Sequence, residues 1–354
     1  MKVMAISSSP RGSGQSKTEL MLGALVKGMR DAGAEVEEVI LRNKKIKNCI
    51  GCFTCWTKTP GKCALKDDMT AELYPKFITS DMAIFATPLY HYTMNATLKA
   101  FIERTLPVLE PLLVVKGERT FHPLRGKHPA IIMLSVAGFP EQSVFNQLSN
   151  HVRFMYAKGL LAEIYRGGAE SMASPYFKEI ADDILEAITQ AGRELVKTFR
   201  IAPETMARIT QPICDFTEFA LMANLMWKAC IAEGITPKEF LERGMVPRPD
   251  SIETFLIFMK TGFNPQAAAG MKAIVQFVFT GELDGSCYIA IENGKIKAKA
   301  GPVDKPDLTI AAPFGVWMDI ITRKADGGHL FRENKYRAEG DLNLLMGMTK
   351  LCAR

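Results

Sequence analysis

No apolar run in this chain is long enough to cross a membrane as a helix. The most apolar helical stretch, Phe219 to Ile231, carries Asn224 and Lys228 and falls well short of the roughly 20 residues that a span needs. Dense basic tracts are missing too, and a net charge of +6 is mild for 354 residues. Nucleic acid is therefore not an expected partner, whereas an anionic cofactor or acidic ligand fits. Two nucleotide-binding signatures are absent: G-x-G-x-x-G, which marks a dinucleotide fold, and G-x-x-x-x-G-K-[ST], which marks a P-loop. The opening Met1-Lys2-Val3-Met4-Ala5-Ile6 reads as a strand and not a secretion signal, since its apolar run is short and no small-residue cleavage site follows. The final Leu351-Cys352-Ala353-Arg354 is neither a prenylation box nor a peroxisomal tripeptide. Eight cysteines without a leader point to a reducing compartment, and the cytoplasm is the expected location.

Hydrophobic residues make up 47% of the chain and charged residues 23%, which is ordinary for a globular protein, and the length accommodates about two domains. Four of the cysteines gather in Cys49-Ile50-Gly51-Cys52-Phe53-Thr54-Cys55 and Cys63, with gaps of two, two and seven residues. That spacing lets one loop bring several thiolates to a point, which indicates metal or redox chemistry before disulfides. Four thiolates equal the ligand count of a 4Fe–4S cluster. Structural zinc fits less well, because its sites usually pair two separated Cys-x-x-Cys knuckles. Free thiols lining a cofactor pocket are the other reading that the spacing allows. Cys214, Cys230, Cys287 and Cys352 are scattered and are not expected to act with the loop. Asp67-Asp68, just beyond it, reads as the N-cap of a helix starting near Met69, or as a metal-binding pair.

The first 40 residues follow a β-loop-α-β pattern. Val3 to Ile6 suits a buried parallel strand, a helix opens near Glu19, and Ala34 to Leu41 reads as a second strand. The intervening loop, Ser7 to Thr18, is crowded with hydroxyls and glycines. At a helix N-terminus such a loop suits a phosphate, and Arg11 and Lys17 can add charge. Met82 to Ala86 reads as another buried strand running into Thr87-Pro88-Leu89-Tyr90-His91-Tyr92-Thr93, which offers a flat apolar surface to an aromatic ring. Ala130 to Leu134 is a third such strand, ending in Ser135-Val136-Ala137-Gly138-Phe139. In an open α/β sheet all three loops belong to one rim. Ile180 to Phe199 reads as an amphipathic helix that covers the sheet.

These motifs carry a resemblance. Ser-Pro-Arg-x-Ser-x-x-Ser-x-Thr at Ser9 to Thr18, Thr87-Pro88-Leu89-Tyr90, and Leu98-Lys99-Ala100-Phe101-Ile102-Glu103-Arg104 resemble the NAD(P)H-dependent FMN reductase family. The cysteine pattern is most similar to the iron–sulfur flavoprotein branch, over about residues 1–200. The resemblance implies a flavodoxin-like, doubly wound parallel sheet of the α/β class. It implies FMN bound at the phosphate by Ser9, Arg11, Ser16 and Thr18, with Lys17 beside them where the family often has Asn. The ring would pack on Pro88, Leu89, Tyr90, His91, Tyr92 and Thr93, and the segment with Ser135, Ala137, Gly138 and Phe139 would touch its edge. A homo-oligomer in which a neighbouring subunit covers the flavin is implied as well.

The chain changes character near residue 200. Residues 201–261 read as a helical linker region, rich in Met, Phe and Trp. From Phe263 the pattern is α+β: Pro265 to Ile274 looks helical, Val275 to Thr280 and Ser286 to Glu292 look like strands, and Asn293-Gly294 is a strong hairpin turn. Gln276-Phe277-Val278-Phe279-Thr280-Gly281, Pro306-Asp307-Leu308-Thr309-Ile310 and Tyr336-Arg337-Ala338-Glu339-Gly340-Asp341-Leu342 resemble the sterol carrier protein type 2 fold over 262–354. That resemblance implies an α+β domain around an apolar tunnel. Strand alternation and helical spacing give Phe277, Phe279, Ile289, Ile310, Trp317 and Ile321 as its lining. A tunnel filled by side chains, with the module serving to dock or dimerise, is the alternative.

The expected activity is that of an FMN-dependent oxidoreductase. It would move electrons between NAD(P)H or a reduced, ferredoxin-type carrier and an unidentified, apolar acceptor, with a 4Fe–4S cluster on Cys49, Cys52, Cys55 and Cys63 as relay. The rivals are a non-enzymatic lipid-binding or redox-sensing flavoprotein and an electron carrier for a separate enzyme.

Overall fold

The computed structural model describes residues 1–351 except Ser13, Pro175 and Tyr176, and Thr349 by its backbone alone; Cys352 lies outside the described residues. The chain divides into two compact units, Met1–Ile213 and Cys214–Arg354.

Three strands with near-continuous apolar sequence form the centre of the first unit, and one further strand closes each edge. β1 (Lys2–Ser7), β2 (Glu35–Ile40) and β3 (Met82–Tyr90) are followed by the two-residue β4 (Thr93–Met94), which folds back on β3. A small antiparallel hairpin, β5 (Val114–Lys116) and β6 (Arg119–Phe121), precedes β7 (Ala130–Val136) and β8 (Leu160–Arg166). The main sheet has the order β2-β1-β3-β7-β8 with every pair parallel. This is the flavodoxin-like doubly wound order.

Period-two alternation sends Val3 and Ala5 of β1 to one face and Met4 and Ile6 to the other. On the first face lie α1 (Lys17–Asp31), and, later in the chain, the 21-residue amphipathic helix Lys178–Thr198. The second face is covered by α2 (Tyr74–Thr79), α3 (Ala96–Glu103) and α4 (Asn146–Tyr156), which bury Phe77, Phe101 and Leu148 against Phe85 and Met133. The long helix is α5. It meets α6 (Pro203–Thr210), whose Ile209 is buried in the same core. The segment read as a linker is thus divided: 203–210 packs into the first unit, because α6 lays an apolar stripe on α5.

The second unit begins with α7 (Phe216–Glu233), α8 (Pro237–Glu242) and α9 (Ile252–Thr261). A five-stranded sheet follows: β9 (Lys272–Thr280), β10 (Gly285–Glu292), β11 (Lys295–Ala300), β12 (Leu308–Pro313) and β13 (Arg337–Gly340), in the order β11-β10-β9-β12-β13. α10 (Phe314–Ile321), α11 (Gly327–Arg332) and α12 (Leu342–Leu351) complete the unit. Asn293 and Gly294 both have positive φ, as a two-residue hairpin between Glu292 and Lys295 requires. The helix expected over Pro265 to Ile274 is not formed. Those residues make turns, Gly270 sits at φ +71°, and the chain is already extended at Lys272. Pairing of Ala273 and Ile274 with Ile291 and Ala290 overrides the local helical preference of the alanine run.

α1 and α5 approach so closely that two positions tolerate no side chain. A Cβ on Gly28 would lie 1.8 Å from the Thr189 carbonyl oxygen, and one on Gly192 would lie 2.3 Å from that of Leu25. The obstructing atoms are helix backbone and cannot swing aside. Gly28→Ala and Gly192→Ala should each destabilise the chain by about 1–3 kcal/mol or more, read as the midpoint of urea unfolding. Gly23→Ala, at an exposed position of the same helix with nothing within 4 Å, should instead stabilise by about 0.5–1 kcal/mol.

Candidate functional site

In-register parallel pairing brings three strand ends to one level: Ser7 stands opposite Ala86, and Thr87 opposite Ser135. The loops that follow enclose an open cleft of about 170 Å³. Ser9, Arg11, Ser16, Lys17 and Thr18 line it from the first loop and the start of α1. Pro88, Leu89 and Tyr90 line it from the second, and Val136, Ala137 and Gly138 from the third. Ala169 and Glu170 close it from beyond β8.

Hydroxyls organise the first loop. Ser16 caps α1 by accepting from the Glu19 N–H at 3.1 Å and donates to Ser9 Oγ at 2.7 Å. Ser9 Oγ also accepts the Arg11 N–H at 3.3 Å, and Arg42 ion-pairs with Glu19 behind the helix start. Asn95 ties this loop to the second. Its Nδ2 donates to the Ser8 carbonyl at 2.6 Å, its N–H donates to Thr87 Oγ1 at 3.1 Å, and its Oδ1 caps α3 at the Leu98 N–H. The sequence signal for Asn95 was its place as a capping residue at the end of an extended loop.

The other expected residues lie outside this lining. His91 and Tyr92 have φ of 46° and 62°, the conformation that turns β4 back on β3, and Thr93 begins β4. Tyr92 and Phe139 are exposed, with rings nearly parallel and centroids 6.4 Å apart. Ser135 is fully buried and its hydroxyl has no hydrogen-bond partner.

Residues 44–68 form turns without a strand or α-helix, and Gly51, Phe53 and Gly61 take positive φ as the loop winds. Cys49, Cys52, Cys55 and Cys63 are free thiols that line one small cavity of about 20 Å³ against Arg104, Leu106 and Pro107. Burial pushes the Cys55 thiol up, and the neighbouring Cys63, Cys52 and Cys49 add to the shift, so the four sulfurs feel one another. Hydrogen bonds from Thr54 move the exposed Cys52 in the opposite direction, toward thiolate. Among the described residues no group of three or more His, Cys, Asp or Glu is drawn to metal-binding geometry. The donor set around the cavity, four thiols from one loop, nevertheless fits a four-thiolate ligand set. Cys230 and Cys287 are buried elsewhere.

Arg104, at the end of α3, closes this loop at its base. Its guanidinium donates to the Lys47 carbonyl at 2.7 Å, to both Asp67 carboxylate oxygens at 2.6 and 3.1 Å, and to Thr70 Oγ1 at 3.1 Å. Asp67 accepts in turn from the Lys47 and Thr70 N–H groups. The pair is buried, with both side chains 1% exposed. Desolvation alone would raise the Asp67 pKa, but Arg104 and the two backbone donors outweigh it and hold the carboxyl at about 2. Asp67 is therefore the partner of a cation and a cap for Thr70, and Asp68 accepts from the Lys45 N–H. Neither serves as a metal-binding pair.

In the second unit the six residues expected to line a tunnel share one interior, but they are packed against neighbours. Phe255 of α9, from the segment read as linker, lies 5.0 Å from Phe277 and 5.2 Å from Phe279 between ring centroids. Phe277 lies 5.8 Å from Trp317, and Ile321 is only partly buried. The Trp317 Nε1 is buried without a hydrogen-bond partner.

Residues 1–167 match the family described as NADPH-dependent FMN reductase, and residues 259–353 match the SCP-2 sterol transfer family. An iron–sulfur flavoprotein of Archaeoglobus fulgidus is 33% identical over 200 residues, 56% of this chain and 80% of that protein. An iron–sulfur flavoprotein of Methanocaldococcus jannaschii is 35% identical over 108 residues, 30% of this chain; the match spans 53% of that relative. Among solved structures, an NAD(P)H:quinone oxidoreductase from Methanothermobacter marburgensis aligns with a TM-score of 0.42 and 18% identity, over 55% of this chain and 96% of that one.

Removing one member of the buried pair leaves the other charge uncompensated. Asp67→Asn should destabilise the first unit by about 3–5 kcal/mol in urea unfolding at neutral pH. The Asp67 pKa is depressed in the fold, so its contribution is complete above the ordinary value of 3.8 and is lost as pH falls through about 2. The stability difference between wild type and Asp67→Asn should accordingly be flat from neutral pH to about pH 5 and shrink below pH 4.

Proposed function

Because the chain belongs to the iron–sulfur flavoprotein family, carrying a sterol-transfer module at residues 259–353, we propose that it is an FMN-dependent oxidoreductase drawing electrons from NAD(P)H or a reduced carrier. The observation that carries this reading is the convergence, at one cleft, of a capped helix N-terminus, the hydroxyls of Ser9, Ser16 and Thr18, the cations Arg11 and Lys17, and the apolar run Pro88 to Tyr90.

Ser9, Ser16 and Thr18 with the first turn of α1 supply donors to a phosphate, and the helix dipole adds to the attraction of Arg11 and Lys17. Pro88, Leu89 and Tyr90 give an apolar wall for the ring, and Ala137 and Gly138 of the neighbouring loop, with little or no side chain, leave room for its edge. Hydride acceptance from a nicotinamide and release of electrons singly or in pairs are what FMN supplies when bound. Cys49, Cys52, Cys55 and Cys63 are the residues that would hold a 4Fe–4S cluster, whose contribution is single-electron transfer. Arg104 and Asp67 fix both ends of that loop, which keeps its thiols gathered without help from regular structure.

The C-terminal module either presents an apolar substrate or tethers a partner. Mutual packing of Phe255, Phe277, Phe279 and Trp317 favours the tethering role. Among the described residues no helix is long and apolar enough to cross a membrane.

Purified chain should carry FMN and oxidise NAD(P)H. Arg11→Ala with Ser16→Ala should lose flavin retention, each charge-assisted bond being worth about 1.5–3 kcal/mol; unchanged flavin content in the double variant would refute the phosphate site. Anaerobic protein should contain iron and acid-labile sulfide, both lost when any one of Cys49, Cys52, Cys55 or Cys63 becomes Ser. Their absence from anaerobic wild type would leave four free thiols and no relay.

A further inference from the structure

The candidate phosphate cation is already engaged. Arg11 Nη1 lies 2.5 Å from Glu170 Oε1, across 159 residues of sequence and from the opposite side of the cleft. Both side chains are 52% exposed, so the pair contributes little to stability in that setting. Arg11, Lys17 and Glu170 are the charged residues of the lining, two cations and one carboxylate. Lys17 has no ion-pair partner among the described residues, so the carboxylate falls on the guanidinium alone.

Glu170 does not sit there by chance of a mobile loop. Gly168, at φ +62°, donates its N–H to the Phe139 carbonyl at 2.7 Å, and the Ala169 N–H reaches the Ala137 carbonyl at 3.0 Å. Gly167 lies so close to the third rim loop that a Cβ would stand 2.6 Å from the Pro140 carbonyl oxygen. The segment carrying Glu170 is thus clamped to the loop carrying Ala137 and Gly138, which itself lines the cleft. The carboxylate has a fixed address beside the site of an expected dianion.

We propose that Glu170 is an internal competitor for the flavin phosphate: it pairs with Arg11 in the flavin-free protein, must surrender it when a phosphate enters, and then stands beside the phosphate as a like charge. The inference rests on the reading of Arg11 as a phosphate ligand. Its consequence is a deliberately moderate preference for phosphorylated flavin. Arg11 is kept extended over the cleft by its partner, and part of the attraction is cancelled by the same residue. Neutralising Glu170 changes the sum of lining charges from +1 to +2 without altering a wall that the ring touches.

The test uses the full chain stripped of flavin and titrated with FMN or riboflavin, read by flavin fluorescence. Riboflavin has the same ring and lacks the phosphate. Glu170→Gln keeps the shape and removes the charge; Glu170→Ala removes the side chain as well, and both should melt with wild type because the pair is exposed. Both variants should bind FMN roughly three- to tenfold more tightly and riboflavin unchanged, and the gain should shrink in high salt. Wild type that prefers FMN while neither variant tightens FMN binding would overturn the competitor role alone, as would an equal gain for riboflavin. Equal affinity of wild type for FMN and riboflavin would overturn the phosphate assignment of Arg11, and the competitor role with it.

Discussion

Strands β1, β3 and β7 are covered on both faces, and this constraint governs the rest of the first unit. A doubly covered strand has no exposed side on which to carry polar chemistry, so its residues are apolar in both alternating sets. Polar groups are displaced to the ends. Parallel pairing then places all carboxyl ends at one rim, and the reversal of strand order between β1 and β3 opens a crevice there. The hydroxyl-rich loop, the Pro88 to Tyr90 wall and the Ala137-Gly138 edge meet because the sheet leaves them no other place. The crossing of α1 and α5 serves the same end, since Gly28 and Gly192 allow the helix that presents Ser16 and Thr18 to lie flat against its neighbour.

The cysteine loop obeys a different logic. It has no ladder of its own to hold it, so its order depends on a few strong contacts at its base. Arg104 reaches the Lys47 carbonyl on one side and the Asp67 carboxylate on the other, and the ion pair is fully desolvated. A buried pair of this kind is weak evidence for stability gained over an apolar substitute, but it specifies one arrangement, because any other leaves a charge unpaired. Arg104 also lines the thiol cavity, which couples the anchor of the loop directly to the space that its four cysteines border.

Much of this was legible from residue patterns. Buried strands at Val3 to Ile6 and Met82 to Ala86, the long helix ending near Phe199, and the Asn293-Gly294 hairpin followed from periodicity and turn chemistry, which are local properties. The helix expected over Pro265 to Ile274 failed because cross-strand pairing of Ala273 and Ile274 outweighs the propensity of an alanine run. Phe255, in the segment read as a linker, packs on the C-terminal core through rings 5.0 and 5.2 Å away on β9, a contact that no window of sequence contains.

By itself the sequence determined most of the element types, the three rim loops, the clustering of four cysteines in one loop and the family to which these patterns belong, because each is written in spacings of a few residues. Tertiary structure alone decided which polar groups pair across long separations. Asp67 with Arg104, Asn95 with Ser8, and Arg11 with Glu170 lie 37, 87 and 159 residues apart. Such partners are chosen by where the folded chain brings them, under the demand that a buried polar group find a hydrogen bond and that neighbouring charges balance.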